Sequence, residues 1–310
     1  MNRLSVITLP ALILFASTAE AQNWPRFRGE NGAGISTVAG IPTTWTKNDY
    51  AWAIELPHVG HSAPVIWDKL LFVTSATEGG GERFLHCLDA DSGKQLWQVS
   101  VKLGESHKHP KNSWASSTPT TDGQRVYTLF ADEQKLLATA WDFAGNEVWT
   151  RDLGPYESEH GLGASPIVQD GLLIVPNDQV GPSSIIALNA ESGEVVWKTV
   201  RLPGKTSYST PLVVPGKGSE LQLICISEAS GVTGINLKTG TLNWQTPKLP
   251  MRTVASPVEA DGLVFAFCGE GGGGSYFAAI KSDPAVDEAS RIAFERKTML
   301  PYVPCPVAFD

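Results

Sequence analysis

The sequence predicts an all-β chain folded as a β-propeller of four-stranded antiparallel blades, and three observations carry that prediction. A Trp recurs at Trp97, Trp149, Trp197 and Trp244, with intervals of 52, 48 and 47 residues. Seven or eight residues before each stands the Asp or Asn of a Gly-containing turn: Asp89, Asp142, Asn189 and Asn236. A small residue followed by Pro recurs in the same phase, at Pro64, Pro119, Pro166, Pro211, Pro257 and Pro306, spaced by 55, 47, 45, 46 and 49 residues. Self-similarity at one period marks a repeat architecture. A unit of this length that holds four short strands is a propeller blade.

The repeat is clearest in Ile186-Ala-Leu-Asn189-Ala-Glu-Ser-Gly193-Glu-Val-Val-Trp197. Its other copies are Leu88-Asp89-Ala-Asp-Ser-Gly93-Lys-Gln-Leu-Trp97, Ile235-Asn236-Leu-Lys-Thr-Gly240-Thr-Leu-Asn-Trp244, and the shorter Trp141-Asp142-Phe-Ala-Gly145-Asn-Glu-Val-Trp149. An Asp or Asn side chain bonds the backbone ahead of it, and Gly takes a positive φ without steric penalty. The Trp on the next strand is too large to leave in water and suits the gap between two packed sheets. Trp97, Trp149, Trp197 and Trp244 are therefore read as blade-docking wedges, not as chemistry.

Taken in order, residues 1–21 have the form of a secretory signal peptide. Arg3 gives the positive start, an apolar stretch follows, and Ala19-Glu-Ala21 is an A-x-A site with cleavage after Ala21. The apolar run is too short and too interrupted by Pro to span a bilayer, and no other stretch suits one. A periplasmic or secreted location follows. Residues 22–45 form a Gly-rich N-terminal arm, and residues 46–310 the propeller. A lone strand at residues 50–56 is expected to close a blade. Each blade then starts at its Pro, which need not donate to a ladder at a strand's first position. Asp122-Gly123, Asp170-Gly171 and Asp261-Gly262 mark tight hairpins. The second strands are continuous apolar runs at residues 70–73, 126–130, 172–175, 221–226 and 263–267.

The fifth blade departs from the rule, because residues 281–290 lack the Thr-Gly turn and Phe294 takes the Trp's place. The glycines 271–274 are expected as a flexible loop; with no helix after them they do not form a phosphate cradle. About five blades are thus present, with an N-terminal closing strand. Pro306-Val-Ala-Phe-Asp310 aligns with Pro257-Val-Glu-Ala-Asp261. The expectation is a C-terminally truncated propeller with at least one further blade to come, since a half-made hairpin leaves bare edges.

The formal charge is −8 with no basic run, which argues against nucleic acid as a partner. Cys87, Cys225, Cys268 and Cys305 show no metal-ligand spacing; the first three read as buried strand thiols in separate blades, with disulfides, in any of three connectivities, as the alternative for an exported chain. No nucleophile elbow is present.

These residues resemble the PQQ-like β-propeller repeat family, whose blades carry A-x-D-x-x-T-G-x-x-x-W. Ala187, Asn189, Ser192, Gly193 and Trp197 match it with Asn for Asp and Ser for Thr. Trp24-Pro-Arg-Phe-Arg-Gly29 resembles the opening of an exported subset. The resemblance implies two kinds of activity. One is that of quinoprotein dehydrogenases, which use pyrroloquinoline quinone with Ca²⁺ to oxidise alcohols. The other is that of an outer-membrane assembly lipoprotein, which only binds partners. The adjacent cysteines of the first and the lipidated Cys of the second have no counterpart here.

The candidate site lies in the loops that enter the first strands. First strands line a propeller's channel, so His61, His109, Asn112, His160, Tyr208 and Arg252 should converge at one mouth, the default place for a ligand. Two readings stay open. One is a metal or anion site on His61, His109 and His160; the other is a polar rim whose side chains bond loop backbone. The function expected is an exported binding or scaffolding module, without catalysis or cofactor of its own. Its partner would be an envelope protein or a small ligand. The alternative is a PQQ-dependent oxidoreductase, with the quinone and calcium as cofactors.

Overall fold

The computed structural model describes residues 23–309 except residue 272. The expected signal peptide and Asp310 lie outside the described residues. Within them, twenty strands form five four-stranded antiparallel sheets, each a meander in chain order. Blade 1 holds β1 (Val65–Trp67), β2 (Leu70–Ala76), β3 (Glu82–Asp89) and β4 (Gln95–Lys102). Blade 2 holds β5 (Thr120–Thr121), β6 (Arg125–Ala131), β7 (Leu136–Asp142) and β8 (Glu147–Asp152). Blade 3 holds β9 (Ile167–Gln169), β10 (Leu172–Asn177), β11 (Ser183–Asn189) and β12 (Val195–Arg201). Blade 4 holds β13 (Leu212–Pro215), β14 (Leu221–Ser227), β15 (Gly231–Asn236) and β16 (Leu242–Gln245). Blade 5 holds β17 (Val258–Ala260), β18 (Leu263–Glu270), β19 (Gly273–Lys281), a helical turn α1 (Glu288–Arg291) and β20 (Ile292–Arg296). The chain is the all-β propeller its sequence predicts. No helix among the described residues is long and apolar enough to cross a membrane.

The core lies between blades. Leu173 and Val175 of β10 pack with Leu129 and Leu136 of blade 2, while Ile174 of the same strand packs with Leu223 and Ile235 of blade 4. A middle strand buried on both faces cannot alternate apolar with polar, which is why the second strands read as unbroken apolar runs. Asp170-Gly171 and Asp261-Gly262 place both residues at positive φ, as a two-residue hairpin of the favoured twist requires.

The recurrent Trp couples one blade to the next. Trp97 Nε1 donates to the carbonyl of Phe143 at 2.9 Å, Trp149 to that of Ala190 at 3.1 Å, and Trp197 to that of Leu237 at 3.0 Å. Each acceptor directly follows the turn Asp or Asn of the next blade. The indole lies flat on that turn's glycine: a Cβ on Gly193 or Gly240 would stand 2.6 Å from the ring of Trp149 or Trp197.

The segment at residues 50–56, expected as a closing strand, forms no ladder among the described residues. Its indole docks all the same. Trp52 Nε1 donates to the Ala90 carbonyl at 2.9 Å, and the ring covers Gly93. The segment supplies a wedge without a strand, because the contact resides in the side chain.

Blade 5 has no turn glycine to receive Trp244. The guanidinium of Arg291, on α1, stacks over that indole at 4.4 Å, and Trp244 Nε1 donates to Gln222 Oε1 at 2.9 Å. Arg291 is fixed by donating to the carbonyls of Lys281, Asp283 and Val286. Phe294 stands opposite Ala279, the register that Trp197 holds opposite Ala187. Of the glycines 271–274 expected as a loop, Gly273 and Gly274 instead belong to β19 and pair with Glu270 and Gly269. A Cβ on Gly274 would meet the Pro301 carbonyl at 2.2 Å, so the bare backbone at this position lets residues 300 and 301 approach.

The residue before each blade's Pro forms a second inter-blade link. Ala63 N–H donates to Thr118 Oγ1 at 2.9 Å, Thr118 N–H to Ser165 Oγ at 3.0 Å, and Thr210 N–H to Ser256 Oγ at 2.9 Å. Ser256 N–H reaches Cys305 Sγ at 3.2 Å, so a thiol stands in for the hydroxyl at the last signature.

The arm runs along the inner edges of the first strands. Trp24 and Ile66 exchange both backbone hydrogen bonds, at 2.8 and 3.0 Å, and the Pro25 carbonyl accepts from Thr121 N–H at 2.9 Å. Asn31 pairs its amide with the backbone of Val213. Exposed strand edges are sites of unwanted pairing, and the arm covers these.

Candidate functional site

Antiparallel topology puts the loops that enter the first strands on one face of the molecule, together with the β2–β3 and β6–β7 hairpins. Four consecutive entry loops bring His109 and Asn112, then His160, then Tyr208, then Arg252 into one cluster. The rings of His109 and His160 stack at 5.0 Å, and Tyr208 meets His160 edge-on at 5.9 Å. Arg252 Nη1 lies 3.3 Å from His160 Nε2. Asn112 Nδ2 donates to the His160 carbonyl at 2.6 Å, and His109 N–H donates to the same oxygen at 3.2 Å. His61 is not in the cluster: its N–H donates to the Ala115 carbonyl, and its residue is exposed.

Protons follow from these contacts. A guanidinium can only donate, so His160 Nε2 accepts and its proton sits on Nδ1. That Nδ1 is buried and has no partner. Burial, then Arg252 and His109, hold the His160 pKa below the ordinary histidine value. His109 Nδ1 accepts from Lys111 N–H at 3.1 Å. Burial pushes the Tyr208 hydroxyl up to about 12. Burial lowers the Arg252 pKa, but Glu159 and Tyr302 outweigh it and the net shift is upward.

Glu159 is the counter-charge of the cluster. Its Oε1 lies 3.3 Å from Arg252 Nη2, and its Oε2 accepts from Thr206 N–H at 3.2 Å. Its neighbour His160 showed from sequence as a loop histidine; nothing local marked Glu159 as its companion, because the Arg that engages it is 93 residues away.

The metal reading of His61, His109 and His160 does not survive this geometry. His61 stands apart, and Arg252 occupies the nitrogen that a metal would need. Among the described residues no group of three or more His, Cys, Asp or Glu side chains is placed to hold an ion. What remains are donors: His160 Nδ1, Arg252 Nε and Thr206 Oγ1 are buried and unpartnered. Such an array suits acceptor atoms of an anionic group.

A cleft of about 510 Å³ opens beside the cluster, lined by Trp114, Tyr156, Asp132, Glu133, Glu157 and His107 among others. Elsewhere, Ser75 Oγ lies 2.7 Å from His86 Nε2, with Gln95 Oε1 3.2 Å from Nδ1. That series has the order of a nucleophile, base and orienting group. Ser75 and His86 are 2% and 0% exposed inside blade 1, however, so it serves packing. The four cysteines are free and lie apart, with burial pushing the Cys87 and Cys225 thiols up to about 12 and Cys268 to about 11.

Comparison with known proteins agrees with the fold. A 177-residue stretch is 27% identical to the quinoprotein alcohol dehydrogenase PedH of Pseudomonas putida (strain KT2440), covering 56% of this chain. The chain spans only 28% of that relative's length. The structure of BamB from Moraxella catarrhalis is similar with a TM-score of 0.54 at 17% identity, over 81% of this chain and 68% of that one. The quinohemoprotein alcohol dehydrogenase of Comamonas testosteroni is similar with a TM-score of 0.62 at 14% identity, over 86% and 48%. At such identities the likeness concerns fold alone. The family model described as outer membrane protein assembly factor BamB matches residues 30–143 and 135–283. With blade, turn and Trp in phase across that span, the chain belongs to this PQQ-like propeller repeat family.

Proposed function

We propose that the protein is an exported binding or scaffolding module without catalysis of its own, and that its channel mouth receives an anionic group of a ligand or partner protein. The observation that carries this reading is the state of the mouth. Its potential bases are engaged, His160 by Arg252, His109 by Lys111 and Glu159 by Arg252, while the atoms left without partners are donors. A general base needs a free lone pair within reach of the proton it takes. A carboxylate needs donors. The family description and the BamB likeness point the same way, to protein partners in the envelope.

The PedH likeness motivates the second reading, a quinoprotein oxidoreductase. Arg252 suits a quinone carboxylate, but calcium takes six to eight oxygen ligands. Glu159 is committed to Arg252, and among the described residues no group of three or more His, Cys, Asp or Glu side chains is placed to hold an ion. The described residues do not fit that ion.

The test is to purify the protein and add the quinone with Ca²⁺. We expect no bound-cofactor absorbance and no dye reduction with alcohols or sugars; either signal overturns the scaffold reading. Replacing His109 and His160 by Ala should abolish binding of any mouth ligand or co-purifying envelope protein. Retained affinity in that double variant removes the mouth from the proposal.

A further inference from the structure

We infer that Asn31 is a modification site: spontaneous loss of its side-chain amide is blocked while the N-terminal arm is docked and, once it has occurred, keeps the arm from docking again. The reasoning concerns the arm alone and is independent of the proposed function.

Asn31-Gly32 is the one Asn-Gly pair in the sequence. Asn is among the thermolabile residues, and a following Gly has no side chain to shield its nitrogen. The Gly32 nitrogen attacks Asn31 Cγ, the Cγ–Nδ2 bond breaks, and ammonia leaves with the proton that the Gly32 nitrogen gave up. Water then opens the cyclic imide at either carbonyl, leaving Asp or its β-linked isomer. One water is consumed and one ammonia released, and nothing is oxidised or reduced.

The docked arm withholds both reacting groups. Asn31 is exposed, with φ 46° and ψ 24°, so water reaches it and only its hydrogen bonds restrain it. Its Nδ2 donates to the Val213 carbonyl at 2.8 Å, and its Oδ1 accepts from Val213 N–H at 3.2 Å, as a neighbouring strand would. Gly32 is buried, and its N–H donates to the Gly29 carbonyl at 3.1 Å. Attack requires the amide to leave β13 and the Gly32 nitrogen to leave Gly29, which is to say that the arm lifts.

The product does not fit the place that the amide leaves. A carboxylate has no donor, so an oxygen would face the Val213 carbonyl where Nδ2 now donates. The neighbouring hydrogen bond from the arm, Arg26 Nη2 to the Pro211 carbonyl at 2.7 Å, comes from a buried cation with no ion pair among the described residues. That contact opposes docking and does not compensate. Asn31 is therefore a one-way latch: each lifting of the arm risks the reaction, and the reaction leaves the inner edge of β13 bare.

The experiment incubates the whole protein in mildly alkaline buffer and follows conversion of Asn31 to acid by mass spectrometry of the tryptic peptide 29–47. We expect the native protein to convert at least about tenfold more slowly than the urea-unfolded protein, a protection equal to about 1.4 kcal/mol. Trp24→Ala, which strips the ring from Gly29, should speed the native reaction. Gly193→Ala, which loosens the contact of blades 2 and 3 instead, should not. Asn31→Asp supplies the product directly at an exposed residue. It should raise the rate of tryptic cleavage after Arg26, which is 6% exposed in the docked arm, about tenfold, the effect of one lost hydrogen bond. Equal conversion of native and unfolded protein would overturn the assignment, as would equal acceleration by Trp24→Ala and Gly193→Ala. Cleavage of Asn31→Asp no faster than wild type would also overturn it; slower cleavage would show the new carboxylate paired with Arg26, a latch that closes and does not open.

Discussion

Gly193 and Gly171 have nearly the same backbone, φ 71° and 73°, yet different surroundings. A methyl on Gly171 would meet nothing within 4 Å, whereas on Gly193 it would stand 2.6 Å from the Trp149 ring. Gly171→Ala should therefore cost only the left-handed backbone penalty, about 1–2 kcal/mol. Gly193→Ala must bear that and also displace the indole, which gives up its hydrogen bond to Ala190 and part of its buried area. An additional loss of about 2 kcal/mol is expected. Urea unfolding of the two variants separates the terms. Equal losses would mean that the indole contributes nothing to the coupling of blades 2 and 3. This residue pair also shows why the repeat was legible: a bulky ring that must lie flat on a bare backbone leaves both a Trp and a Gly in the sequence, in fixed phase. Glu159 left no such trace, since ion pairing with Arg252 asks only for a carboxylate at the right point in space.

At the scale of the element, the first strands are short, only two residues in β5, and depend on their neighbours. The hydroxyls of Thr118, Ser165 and Ser256 link one first strand to the next, a role that the Pro pattern itself did not disclose. Thr118→Val keeps the shape but removes the acceptor for Ala63 N–H, and should cost about 1–2 kcal/mol. Thr118→Ser, which keeps the oxygen, should restore most of it. Thermal unfolding of both checks this, and a Val variant as stable as wild type would reduce the link to coincidence. Second strands and hairpins were readable because burial on both faces and positive φ restrict the residue types allowed. The segment at residues 50–56 misled, because its alternation and Trp52 are those of an outer strand, while backbone pairing needs a partner that a local pattern cannot supply. Gly274 misled for a related reason: bare glycine signals either freedom or close approach, and only the position of Leu300 and Pro301 decides between them.

For the whole molecule, the arm sets the stability of the central region, and Arg26 shows how. This residue is 6% exposed, donates through Nη2 to the Pro211 carbonyl at 2.7 Å, and makes no ion pair among the described residues. Its Nε has no partner, and burial lowers its pKa to about 9. A cation whose folded pKa lies below its unfolded value opposes folding fully at any pH below the folded one, and the penalty fades only as pH rises from about 9 toward the ordinary arginine value. At neutral pH the arm thus docks in spite of Arg26, through Trp24, Pro25 and Asn31 against Ile66, Thr121 and Val213. Arg26→Met should leave stability within about 1 kcal/mol of wild type or raise it, as replacement of a buried charge by an apolar side chain often does. Removing residues 23–34 should instead cost roughly 5 kcal/mol, because several backbone groups on the inner edges lose their partners at about 1 kcal/mol each. Urea unfolding at pH 7 compares the two. If Arg26→Met proved as damaging as loss of the whole arm, the guanidinium would have to be meeting an anion on the propeller axis, and the arm would be a ligand-binding element and not a cover for strand edges.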